Sequence, residues 1–176
     1  ELEGYISYME REKFASSSIS RSVASMRAFF QYLWKEGVIT KDPAENLKPP
    51  KVEKKAPEIL TIEEVDKLLQ QPNLDTPKGI RDSAMLELLY ATGMRVSEML
   101  HLQIFDVNLQ FGYVVCHENG KERIIPIGLP CKKAMERYLK TSRTTFVKDE
   151  KETALFTNCS GKAMSRQGFW KVLKGY

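Results

Sequence analysis

Histidine and cysteine are scarce, with two of one and three of the other in 176 residues. Cys116, Cys131 and Cys159 are odd in number and show no CxxC spacing, and no paired histidines accompany them, so a zinc site lacks its ligand set. They read instead as reduced, mostly buried thiols of a cytoplasmic protein. No apolar run approaches the roughly 20 residues that a membrane-spanning helix needs. No signal peptide is visible either, so a membrane protein is not expected. Charge of one sign is not dominant: 27 Lys and Arg face 23 Asp and Glu, for a net charge of +4. An excess this small suits a nucleic-acid partner only where the basic residues cluster. The chain opens at Glu1 without a methionine, and it is expected to be a fragment.

What is present suffices for one domain or two small ones, since 42% of the residues are hydrophobic. Residues 48–57, Lys-Pro-Pro-Lys-Val-Glu-Lys-Lys-Ala-Pro, hold three prolines and four lysines. Such a segment can be neither helix nor central strand. It reads as an extended basic linker, which divides the chain into residues 1–47, a linker at 48–58, and residues 59–176. Lys51, Lys54 and Lys55 could follow a phosphate backbone or belong to a merely solvated connector.

The fold expected is mainly α with a small β-hairpin. Before the linker, Leu2, Tyr5, Ile6 and Met9 share a helical face. Ser16, Ser17 and Ser18 offer N-cap oxygens to a longer helix. Its stripe of Ile19, Val23, Met26, Phe30 and Leu33 steps by four, three, four and three. Phe29, Phe30, Tyr32 and Trp34, on or beside that stripe, are expected in a helical core. The opposite face carries Arg21, Ser22 and Ser25, with Arg27 near its edge. Small hydroxyls and arginines beside a helix N-terminus suit close approach to phosphates and base edges, although an ordinary solvated face looks the same.

After the linker, Thr61-Ile62-Glu63-Glu64 is a capping box opening a helix. Thr76-Pro77 opens the next, with a capping oxygen followed by proline at the first helical position. Ile80, Ala84, Leu88 and Leu89 give it an apolar stripe, and Gly93 supplies a left-handed stop. A short helix, Val96 to Leu102, follows. Tyr113–Cys116 and Arg123–Pro126 are strand-like around Asn119-Gly120, a strong hairpin signal. Helices resume near Pro130–Ser142 and from Ser165 onward.

The most informative stretch is Ala91-Thr92-Gly93-Met94-Arg95-Val96-Ser97-Glu98. It holds Arg95 on a rigid turn between two helices, where a guanidinium can grip two phosphate oxygens at once and lysine cannot. Glu98, three residues on, lies on the same side of the helical turn and can orient neighbouring groups. Ser165, Arg166 and Gln167 set donors at the start of the last helix.

Several segments in one order resemble the tyrosine recombinases of the phage-integrase family, most closely its Xer-type members. They are Ser18–Trp34, Asp42-Pro43-Ala44-Glu45-Asn46-Leu47, Leu60–Val65, Arg81-Asp82, Leu88–Glu98, Lys121–Gly128 and Leu155-Phe156. The resemblance implies a helical core-binding domain at 1–47 and part of a catalytic domain at 59–176, closing around double-stranded DNA as a C-shaped clamp. It implies that the Arg21 helix enters the major groove and that Arg166 and Gln167 read bases there. It also implies Arg95 as a phosphate clamp, Glu98 as its orienting carboxylate and Lys121 as general acid at a hairpin tip. In the family, the first lysine of Gly-Lys-Gly-Asn-Lys-Glu-Arg is catalytic; this chain lacks it, and Lys121 matches the second. The implied chemistry is cleavage of a partly palindromic DNA site through a phosphotyrosyl intermediate. It proceeds in a homo- or heterotetramer, without metal or nucleotide cofactor.

The family's His-x-x-Arg pair does not occur here, and Tyr176 stands in the wrong context for the nucleophile, so the chain by itself is expected to be catalytically incomplete. A non-catalytic DNA-binding regulator is the alternative reading. An RNA-binding or protein-interaction bundle would leave the Arg95 turn and the hairpin unexplained.

Overall fold

The computed structural model describes residues 1–51, 56, 58–118 and 120–176. It is mainly helical, with one small antiparallel sheet. Backbone contacts divide the chain into two compact units, Glu1–Glu58 and Ile59–Tyr176.

The first unit is built on two helices, α1 (Leu2–Arg11) and α2 (Ser16–Lys35). The apolar stripe of α2 does what its spacing predicts: Ile19 and Val23 are buried, and Met26 and Phe30 pack beside them. Ala44 and Leu47, brought back by a turn in which Asp42 accepts from the Ala44 amide (2.8 Å), close the small core with Leu2 and Ile6. Two expectations fail here. Ala15, not a serine, is the N-cap of α2, and no side chain caps it. Phe29, Tyr32 and Trp34 are each more than half exposed, and of the four aromatics only Phe30 packs against the core. They flank a stripe too narrow to bury them, because the cluster beneath it is small.

The second unit begins with α3 (Ile62–Gln70) and α4 (Pro77–Thr92). The Thr61 hydroxyl accepts from the Glu64 amide and the Glu64 carboxylate accepts from the Thr61 amide, so the capping box is complete. Thr76 caps α4 through the Gly79 amide (3.1 Å), with Pro77 inside the first turn. Gly93, at φ 60°, ends α4 in the left-handed conformation that a side chain disfavours. Next come α5 (Val96–His101), a 3₁₀ turn at Ile104–Asp106, and strands β1 (Val107–Asn108), β2 (Tyr113–Glu118) and β3 (Lys121–Pro126). The sheet order is β1-β2-β3, all antiparallel. β1 is too short to give a sequence pattern. The remaining helices are α6 (Leu129–Arg137), a π-helical turn at Tyr138–Ser142 continuing into α7 (Arg143–Phe146), and α8 (Arg166–Leu173).

The core of this unit is deep. Ala84, Met85 and Leu88 of α4, Met99 of α5, Val114 and Cys116 of β2, Met135 of α6 and Phe156 meet in one apolar cluster. Tyr138 is fully buried, stacks on Phe156 and donates from its hydroxyl to the Leu155 carbonyl (2.8 Å). Burial pushes its phenol pKa upward. Beside the core, Arg81 and Asp82 are both buried and paired at 2.7 Å. Arg81 also donates to the Thr157 carbonyl, and the Tyr176 hydroxyl donates to Asp82 (2.9 Å). Buried charges survive only with such partners.

Candidate functional site

Arg95 is the N-cap of α5, its backbone extended at φ −68° and ψ 147°, two residues after the left-handed Gly93. Buried Met94 and Met99 anchor the chain on either side, so the turn is fixed by packing while the Arg95 side chain stays 67% exposed. The Glu98 side chain, by contrast, is only 7% exposed. Its Oε2 accepts from the Arg95 amide, satisfying one of the amides that a helix start leaves unpaired. Its Oε1 lies 3.8 Å from Arg95 Nη1 and 3.2 Å from Arg123 Nη2. One shielded carboxylate thus sits under two guanidinium groups. Both guanidinium groups face water in part, Arg123 with a side-chain exposure of 53%.

The hairpin completes this side of the unit. Glu118 pairs with Lys121, so two residues separate the strands, and Gly120 takes φ 74° in the turn. Asn119 lies outside the described residues. Lys121 is the first residue of β3 and is exposed. Alternation along a strand sends Lys121 and Arg123 to the same face, and Arg123 meets Glu98 from that face. The register pairs Arg123 with Cys116. Burial is the main cause that raises the Cys116 thiol pKa.

On the other face, His117 Nε2 is 3.1 Å from buried Asp106, whose other oxygen accepts from the Gln103 amide. His117 Nδ1 is 3.5 Å from Glu122. His101 is exposed, its Nδ1 held 2.6 Å from the Ser97 carbonyl oxygen. Sequence reasoning missed the part played by Arg123. The available signal was its period-two relation to Lys121.

The other expected residues fall into separate groups. On α2, Arg21, Ser22 and Ser25 line one groove of about 560 Å³ together with Tyr5 and Phe14. Arg27 lines a different recess, beside Asp42 and Glu45. Lys51 is exposed, whereas Lys54 and Lys55 lie outside the described residues. Ser165 caps α8 by accepting from the Gly168 amide (3.0 Å). Arg166 and Gln167 are exposed in the first turn, above buried Phe169. Tyr176, far from the Arg95 turn in sequence, has its hydroxyl bound to Asp82; burial first, then the Asp82 charge, pushes its pKa up to about 12. Among the described residues, no group of three or more His, Cys, Asp and Glu could hold a metal ion, and no helix is long and apolar enough to cross a membrane.

With this geometry in view, residues 58–176 match the phage integrase family. Over 97% of its length the chain is 45% identical to tyrosine recombinase XerD of Halalkalibacterium halodurans, covering 57% of that protein. Over 99% it is 41% identical to XerD of Oceanobacillus iheyensis, covering 59%. The chain belongs to the phage integrase family of tyrosine recombinases, and its curated relatives include Xer-type members. It spans about three fifths of the length of these relatives.

Among solved structures it resembles XerH site-specific recombinase bound to its difH substrate, at a TM-score of 0.71 and 21% identity over 97% of this chain and 50% of that one. It also resembles a lambda integrase tetramer bound to a Holliday junction, at 0.69 and 17% over 99% and 49%. At these identities the likeness establishes the fold.

Proposed function

We propose that the chain is the DNA-gripping part of a Xer-type site-specific recombinase, with Arg95 clamping the phosphate at which a strand is cut. The observation that carries this reading is the Arg95 turn. A guanidinium set by a left-handed glycine and an N-cap position stands exposed above a shielded carboxylate that is bonded to its own amide. In-line attack on a phosphodiester builds charge on the non-bridging oxygens, and donors fixed in advance stabilise it most.

Glu98 holds the turn that presents Arg95. Lys121, at the start of β3, protonates the departing deoxyribose oxygen as general acid. Arg21, Ser22 and Ser25 approach DNA from the first unit, and Arg166 and Gln167 read base edges from the start of α8. Lys51, Lys54 and Lys55 follow the phosphate backbone, and Arg27 and Ser165 make further DNA contacts. Residues 1–47 serve as the core-binding domain and 59–176 as part of the catalytic domain. Strand exchange proceeds in the cytoplasm on a partly palindromic duplex, through a phosphotyrosyl intermediate in a tetramer of recombinases, with no metal or nucleotide cofactor. The likeness to XerH bound to difH and to lambda integrase bound to a Holliday junction supports this reading.

The test is strand cleavage by the protein expressed from the complete gene. Arg95→Ala should slow cleavage by about 100-fold or more while most duplex affinity remains; cleavage at the wild-type rate would reject the assignment. For Lys121→Ala, a 5′-phosphorothiolate substrate, whose leaving group needs no proton, should restore cleavage. Failure of that rescue would remove Lys121 as the acid. Absence of any cleavage alongside specific binding would favour a non-catalytic DNA-binding regulator.

A further inference from the structure

We infer that Arg123 is a positioning residue that ties the hairpin bearing Lys121 to the Arg95 turn through the shared carboxylate of Glu98; its catalytic consequence rests on the function proposed above. Arg123 and Glu98 are 25 positions apart and come from different elements, β3 and α5, yet their side chains meet at 3.2 Å. Glu98 is engaged at both oxygens. One takes the Arg95 amide, and the other faces Arg123 and, at 3.8 Å, the Arg95 guanidinium. Moving Glu98 therefore moves the Arg95 backbone as well as its side chain.

Lys121, two residues before Arg123 on the same strand, leaves the same face. The contact that fixes Arg123 on Glu98 thus fixes the direction in which the hairpin presents Lys121. A phosphate clamp and a proton donor that act on one phosphodiester must keep a constant separation, since small misplacements are costly in rate. Arg123 is about half exposed, with a side-chain exposure of 53%, and a pair of this kind adds little to global stability. Its effect is accordingly local, on the opening of the turn and the hairpin.

Amide hydrogen exchange, followed by NMR on this chain, tests the tie. R123M should speed exchange at the Arg95 amide roughly fivefold and leave Leu86 and Leu88 of α4 unchanged. R123K, which keeps a cation, should stay within about twofold of wild type. In an E98Q background, R123M should add nothing. Unchanged exchange at Arg95 in R123M, a loss in R123K equal to that in R123M, or the same increment with and without Glu98 would each overturn the proposal.

In the protein from the complete gene, R123M should slow cleavage at unchanged duplex affinity; a wild-type rate would overturn the positioning role. If the exchange results hold but Arg95→Ala cleaves normally, the functional reading fails while the physical tie stands.

Discussion

The two units bury their helices to very different depths. In Ile59–Tyr176 one continuous cluster runs from α4 through β2 and α6 to Phe156 and Phe169, and the buried pair Arg81 and Asp82 lies beside it. In Glu1–Glu58 the buried cluster is Val23, Ala44 and Leu47 with a few partly buried neighbours, and large aromatics stand in water. A helical period therefore identifies which face turns inward, but the depth of the core beneath decides how wide that face is. That difference sets where substitutions should hurt.

The largest effect is expected in the second unit. Asp82→Ala leaves Arg81, a residue 3% exposed, without its carboxylate, and should cost about 3–5 kcal/mol in urea unfolding. A cost below about 1 kcal/mol would mean that the pair is not structurally coupled. A pH effect in the same unit comes next. Burial, with a smaller contribution from the Glu87 charge, pushes the Cys131 thiol up to about 12 from 9.0. The thiol stays protonated in the folded state at a pH where the unfolded chain has already ionised. Stability should therefore be intact below pH 9 and decline as pH rises toward 12, by roughly 2 kcal/mol near pH 11. Cys131→Ala should flatten that decline in unfolding measurements across the range.

In the first unit, Val23→Ala should cost about 2 kcal/mol, from two lost methyl groups and the cavity they leave. Thr61→Ala, which removes half of a capping box, should cost about 1 kcal/mol. Phe29→Ser, at a residue 56% exposed, should fall within about 0.5 kcal/mol. A larger loss there would show the first unit to be packed more deeply than its buried residues indicate.

What the sequence disclosed follows the same division. The Thr61 box, the Thr76-Pro77 start, the Gly93 stop and the hairpin are each set by a handful of neighbouring residues, and each appears as read. The mainly helical fold with a small sheet was legible for that reason. Phe29, Tyr32 and Trp34 were misassigned because hydrophobic period carries no measure of core size. Ser16, Ser17 and Ser18 were misassigned as caps because they already lie inside the helix, which begins after Ala15.

Of the candidate site, the Arg95 turn and Glu98 were visible locally. The Arg123–Glu98 contact and the Asp106–His117 contact join residues 25 and 11 positions apart, and only the folded chain brings them together. The burial of Arg81 and Asp82 was hidden for the same reason, since it depends on Thr157 and Tyr176.

The salt dependence of duplex binding by this chain tests directly the proposed neutralisation of a DNA phosphate by the Arg95 guanidinium. Each phosphate neutralised contributes about 0.9 to the magnitude of the slope of log affinity against log salt. Arg95→Ala should reduce that magnitude by about 0.9 on cognate and unrelated duplexes alike. A slope identical to wild type would show that Arg95 touches no phosphate and so is not the clamp.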